Sequence, residues 1–197
     1  MTPAVERPDL AGNLLRRVAD ARQHRHRLLR AQLPDAELGR ARHFDIAAAN
    51  VLRRIVAEYG WPTRALVGEA AVWAAWEIVL HADPMADFQR LALRLLVTAV
   101  EQGEATVGQW AHLHDRCAIN AGSRQTFGTQ YRLELHGPEL VPVDAPGDLD
   151  SRRATVGLRP HGEALADLRR RLGWPPPEEP RRLLFAEPAP LLAGVSA

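Results

Sequence analysis

The sequence predicts a mainly α protein: a bundle of six to seven helices with a small β-hairpin near residues 128–143. Three observations predict it. Apolar residues recur at three- and four-residue spacing over most of 9–119. The segment "AAVWAAWEIVLHAD" (70–83) is apolar nearly all round, as the central helix of a bundle is. At "TQYRLELHG" (129–137) the period switches to alternation, a strand signal.

The elements follow in order. Residues 9–42 carry Leu10, Leu14, Leu15, Val18 and then Leu28, Leu29 and Leu33 in helical fashion; Pro34 divides them into two helices, with Asp35 capping the second. Asp45 reads as the N-cap of a helix carrying Ile46, Ala49, Leu52, Val56 and Tyr59, stopped by Gly60 and Pro62. In the central helix Trp73, Trp76 and Leu80 share one stripe, and Ala71, Ala75, Val79 and Ala82 cover much of the rest. Pro84 suits the first turn of a helix over 84–101, with Phe88, Leu91, Leu95 and Val97 inward and Gly103 behind it. A helix over 104–119 holds Val107, Trp110 and Leu113. Gly137–Pro138 turns the hairpin, with "ELVPV" (139–143) as the partner strand and Tyr131 and Leu133 packed on the helices. "RPHGEALADLRRRLG" (159–173) is the last amphipathic helix. Residues 1–8 form a flexible N-terminus, 9–173 a single helical domain, and the proline-rich, aperiodic 174–197 a disordered tail.

Composition narrows the chemistry. The chain has 197 residues, 46% hydrophobic and 25% charged, enough for one domain with a core. A net charge of +1 recruits neither nucleic acid nor an anionic membrane. All 25 basic residues are arginine, which excludes a lysine Schiff base and a P-loop. The single cysteine, Cys117, excludes an internal disulfide and thiolate zinc knuckles. The N-terminus lacks the apolar core of a signal peptide, and no apolar run reaches membrane-spanning length, so a soluble cytoplasmic protein is expected.

Several short motifs together resemble a family of uncharacterised bacterial proteins, the DUF6624 family. They are Asn50, "YGWP" (59–62), "VG" (67–68), "HAD" (81–83) before "FQ" (88–89), "DR" (115–116), Gln125 with "FGTQ" (127–130), and "RR" then "VGL" (152–153, 156–158). The resemblance runs from about Asp45 to Leu158. It departs from the family pattern at Leu80, where a Gln is usual, at His112, where a Tyr is usual, and at Phe127, also usually Tyr. It implies a shared fold and a shared polar cluster, and no particular activity.

Each candidate residue has a functional and a structural reading. His81 closes the most apolar helix, with Glu77 at the i,i+4 spacing that touches the ring; it reads as a general base, a carboxylate-oriented metal ligand, or a satisfied histidine at a helix C-terminus. Asp115 and Arg116 are adjacent and point roughly 100° apart on a helix. Arg116 would clamp a carboxylate or phosphate, or cap terminal carbonyls. Asp115 would orient His81, or hold the following loop. Gln125 and Gln130, in a loop with Gly122 and Gly128, read as a ligand lip or as a latch stitching the hairpin to the bundle. Arg153 either reaches the cluster or belongs, with Arg152, to a solvated charge run.

"HLHD" (112–115) resembles the His-Asp pair of helical metal phosphohydrolases, and with His81 and Asp83 it offers a ligand set; against this, His112 and His114 are two apart and cannot share a helix face. Cys117 reads as core, with His114 the only local base for a nucleophile. Trp73 and Trp76 read as packing. The Arg-rich first helix, with His24 and His26 among its arginines, reads as a solvated face.

Taken together, these residues predict a small polar or anionic ligand bound without cofactor or metal. His81 would serve as acid/base and Asp115 as its orienter. Arg116 and Arg153 would bind an anionic group, and Gln125, Gln130 and Asn50 the polar remainder, in a cofactor-free hydrolysis or proton transfer. The alternatives are an interaction module in which the same residues form a structural latch, and a metal-dependent helical hydrolase. A site needs an open cavity; a latch needs the groups bonded to one another.

Overall fold

Alanines set the centre of the molecule. The computed structural model describes residues 4–29 and 35–175, those at 24–29 and 35–42 by backbone alone. Helix α4 (Glu69–Leu80) buries Ala71, Val72, Ala74, Ala75, Ile78 and Val79. Short side chains let neighbouring helices approach closely, and α1 (Pro8–Leu29) and α2 (Asp35–Tyr59) pack on α4 and on each other. The one-turn α3 (Arg64–Val67) meets α4 at Gly68, whose φ of 79° and ψ of 159° suit a residue without a Cβ. On the other side of α4 lie α5 (Ala86–Glu101) and α6 (Val107–Asn120). The antiparallel hairpin β1 (Tyr131–Glu134) and β2 (Gly137–Leu140) follows, then α7 (Leu149–Thr155) and α8 (His161–Leu172). The described residues thus form a mainly α fold of eight α-helices and one two-stranded sheet. No helix among them is long and apolar enough to cross a membrane.

Leu14, Leu52, Leu96 and Leu113 are each 0% exposed and come from four different helices. Leu96→Ala is therefore expected to cost about 2–5 kcal/mol, read as a lower denaturant midpoint at unchanged m.

Several elements differ from expectation. No helix starts at Asp45. The helix is continuous from Asp35 to Tyr59, because the good helix formers Ala36, Glu37, Leu38, Arg40, Ala41 and Arg42 carry the turn upstream of Asp45. On α5 the buried face is Phe88, Gln89, Ala92, Leu96 and Ala99, leaving Leu91 37% and Val97 46% exposed. Trp73 is 46% exposed: the alanine face, not the tryptophan stripe, packs inward. The hairpin turns at Leu135–His136, and Gly137–Pro138 opens β2, with Glu134 opposite Gly137. Proline is acceptable there because a strand start on a two-stranded sheet needs no inner donor. Tyr131 is half-buried, while Leu133 is 42% exposed. Helix α7 was not expected at all. The break at Pro34 and residues 176–197 of the tail lie outside the described residues. Near the N-terminus, the amides of Glu6 and Arg7 donate to the carbonyls of Ala65 (3.1 Å) and Leu66 (2.8 Å).

Candidate functional site

Helix α6 begins with a capping box. The Gln109 amide donates to Thr106 Oγ1 at 3.0 Å, and the Thr106 amide donates to Gln109 Oε1 at 2.8 Å. This start fixes the rotation of the helix, and the adjacent Asp115 and Arg116 leave it toward different partners.

Asp115 is fully buried and turns to the loop that follows. Its Oδ1 accepts from the amides of Thr126 (2.8 Å) and Phe127 (3.1 Å). Its Oδ2 accepts from the amides of Phe127 and Thr129 (both 3.1 Å) and from Thr129 Oγ1 (3.0 Å). The loop carbonyls go the other way. Arg153 Nη1 donates to the carbonyls of Phe127 (2.8 Å) and Gly128 (3.0 Å), and Arg152 Nε to that of Thr126 (2.9 Å). A buried loop without a ladder must find side-chain partners for its peptide groups, and here a carboxylate from α6 and guanidiniums from α7 supply them. Gly128 sits at φ 61°, and a Cβ there would meet Leu149 Cδ2 at 3.1 Å.

Gln125, also fully buried, closes the loop ends. Its Nε2 donates to the carbonyls of Gln130 (3.0 Å) and Val141 (2.6 Å), and its Oε1 accepts from the Gln130 amide (2.9 Å). Burial pushes the Asp115 carboxyl up, but the His114 imidazole 3.6 Å away and the amides of Phe127, Thr126 and Thr129 outweigh it and hold the group below its ordinary value. Asp115 is thus an anion inside the fold.

Arg116 takes the opposite direction. Its Nε donates to Asp83 Oδ1 at 2.8 Å, its Nη2 to Asp83 Oδ2, and its Nη1 to Gln130 Oε1 at 3.4 Å. Asn120 Nδ2 donates to Asp83 Oδ1 and to Gln89 Oε1, both at 2.8 Å. The fully buried Gln89 donates in turn to the Val79 carbonyl at 3.0 Å and to Asp83 Oδ1 at 3.3 Å. Burial raises the Asp83 carboxyl, yet Arg116, Asn120 and Gln89 together bring it below the usual carboxylate range. His81 is the C-cap of α4, and with Asp45, Asp83 and Pro84 it lines a cavity of about 350 Å³. The carboxylate that shares this cavity from the next turn of chain is Asp83, while both Asp115 oxygens face the loop. Glu77 accepts from Arg22 Nε of α1 at 2.9 Å.

Gln130 joins the two halves. Its Oε1 receives Arg116, and its Nε2 donates to Thr129 Oγ1 at 3.0 Å and to the His112 carbonyl at 3.3 Å. Asn50 is half-buried on α2, lines neither this cavity nor the Arg153 clamp, and makes no side-chain hydrogen bond among the described residues. The two histidines of "HLHD" take different faces, as their spacing requires. His114 lies between Trp110 (5.0 Å) and Phe127 (5.6 Å), whereas His112 meets Trp76 edge-on at 5.9 Å. Among the described residues no group of three His, Cys, Asp or Glu side chains stands ready to hold a metal. Cys117 packs against the core, and burial pushes its thiol up.

The residues in these contacts are those that carry the resemblance in the sequence: "HAD" with "FQ", "DR", Gln125 with "FGTQ", and "RR". A family model, described as a family of unknown function (DUF6624), matches residues 8–184. The chain belongs to the DUF6624 family. No curated protein and no solved structure matches it. The DUF6624 match runs from the first residue of α1 past the end of α8, so it takes in both the loop clamp and the His81 cavity.

Sequence reasoning missed the partners more than the residues. Asn120 had no signal beyond its place at a helix end. Gln89 had one, since it follows Asp83 by six residues across a helix start, within reach of the carboxylate. His112 was read as a departure from the family's Tyr and as part of a weak metal set, and Trp73 as packing. With Trp76, Val107, Gly108 and Leu158 they line an open groove of about 500 Å³.

Proposed function

We propose that this protein binds a small polar molecule in the cavity at His81 and Asp83 and acts on it by proton transfer. The observation that carries this reading is the placement of His81 in one cavity with a carboxylate that Arg116 and Asn120 keep ionised. A carboxylate facing the same cavity favours the charged form of an imidazole that has taken up a proton. His81 would accept a proton from a substrate O–H or N–H and return it to the leaving atom, with Asp83 stabilising the imidazolium. The arginine expected to seize an anion is engaged, with donors on Asp83 and Gln130. Two carboxylates line the cavity, so a neutral or cationic substrate suits it better than an anionic one.

Asp115, Gln125, Thr129 and Gln130 fit the latch reading, because their hydrogen bonds are made to the loop and to one another. The latch supports the cavity through the Gln130–Arg116 contact. An interaction module remains the second reading on the strength of that closed network.

The test is a thermal-shift screen of neutral and cationic metabolites (amides, amines, polyols, nucleosides) against wild type, His81→Ala and Asp83→Asn. A true ligand at a hundredfold its Kd adds about 2.7 kcal/mol, or a rise in Tm of roughly 5–10 °C for a domain of this size. The expected result is a compound that stabilises wild type and fails to stabilise either variant, with the ligand-free His81→Ala protein still folded. If no compound stabilises wild type while His81→Ala alone melts far lower, the histidine is structural and the reading fails.

A further inference from the structure

Arg153 presents an unusual electrostatic situation. It is 4% exposed, yet its hydrogen bonds go to neutral carbonyls: Phe127 and Gly128 from Nη1, and Arg159 (2.6 Å) from Nε. Among the described residues it has no carboxylate in an ion pair, and its Nη2 donates to nothing. Charges taken out of water are normally paired, because an unpaired one forfeits its hydration without return.

The same guanidinium lines a cavity of about 230 Å³ between the 127–131 loop and α8. Tyr131, His112, Thr129, Arg159 and Arg171 also line it, and no Asp or Glu does. The Tyr131 hydroxyl is buried and has no hydrogen-bond partner among the described residues. Its ring is held by a parallel stack on His161, with centroids 5.9 Å apart and an interplanar angle of 10°. At the rim Arg159 is paired with Asp167, whereas Arg171 makes no ion pair among the described residues. Burial, with Arg153 adding to it against the pull of Asp115, holds His112 below the usual imidazole range, so its ring is neutral at pH 7 and keeps one N–H to donate.

We infer that this cavity is an oxyanion site, in which a carboxylate or phosphate group supplies the missing counter-charge of Arg153. Arg153 Nη2 and the Tyr131 hydroxyl donate to the anion, and Arg171 adds its charge at the mouth. A planar guanidinium suits either oxyanion. The volume lies below the roughly 300–1,000 Å³ of pockets for drug-sized ligands, so the ligand is a small acid or a single phosphate-bearing head. The site is separate from the His81 cavity, whose lining is acidic, and it stands or falls independently of the proton-transfer reading.

The test is calorimetric titration of the full chain at low ionic strength with inorganic phosphate and, separately, with succinate, against sodium chloride at matched ionic strength. Wild type is expected to bind at least one of the two at one site per chain. Tyr131→Phe, which loses a hydrogen bond to the anion, and Arg171→Gln, which loses a charge at the mouth, are each expected to bind about tenfold more weakly. His81→Ala is expected to bind like wild type. Arg171 is exposed and makes no ion pair among the described residues, so its variant is expected to fold, and an unchanged ligand-free Tm checks that. Binding of phosphate alone or succinate alone names the group recognised. No binding beyond the chloride control, or full wild-type affinity in both variants, overturns the inference.

Discussion

Asp115→Asn is expected to lose about 3–5 kcal/mol of stability, the largest effect of any conservative change in the molecule. The substitution keeps the shape and removes the charge. It also turns one acceptor into an N–H₂ facing the buried Thr129 amide, which has no other acceptor among the described residues, and leaves the Phe127 amide with one carboxyl-side oxygen in place of two. Chemical denaturation reads the loss. Its pH dependence carries a signature. The folded carboxyl lies below its unfolded value of about 3.9. Its contribution is therefore complete above that unfolded value and disappears as pH falls through the folded one. Wild type should lose stability steeply over that acid range and Asp115→Asn much less. Asp83, depressed in the same direction, leaves a residual slope in the variant.

Arg153→Met is expected to cost about 2–4 kcal/mol, because three carbonyls lose their buried donor. The double variant with Asp115→Asn should lose less than the two single losses together, by about 1 kcal/mol or more. Both side chains hold one loop. Once either lets go, the peptide groups that faced the other can reach water. Strict additivity in denaturation experiments would mean that the two residues do not act on a shared element.

The helices were legible wherever burial writes a long period. Residues 69–80 stood out because they are apolar nearly all round, and the alanines among them proved to be the packed face. Elements ruled by tertiary contact were not. Helix α7 has seven residues, too few to show a period, and only Leu149 and Arg153, one turn apart, are buried. Asp45 has the side chain of an N-cap, but a cap needs a helix to begin there, and the residues before it already favour helix. The turn at Leu135–His136 carries neither Gly nor Pro, so the nearby Gly137–Pro138 drew attention instead.

For the candidate site, spacing revealed that Asp115 and Arg116 would diverge, and they do: one meets the 126–129 loop and the other meets Asp83. Which carboxylate shares a cavity with His81 depends on how α4, α5 and α6 settle on each other. Nothing local in the chain encodes that. Glycine and glutamine in the 122–130 loop announced a need for tight turning and amide partners. They could not announce that the arginines answering that need come from α7.

Amide hydrogen exchange at Thr126, Phe127 and Thr129 tests the division into a closed clamp and an open cavity most directly. In wild type these three amides should be protected nearly as well as those in the core of α4, and in Asp115→Asn they should exchange orders of magnitude faster while the α4 amides slow or quicken only with global stability. Rapid exchange at all three in the wild-type protein would contradict the account, because the buried carboxylate would then have no loop to hold.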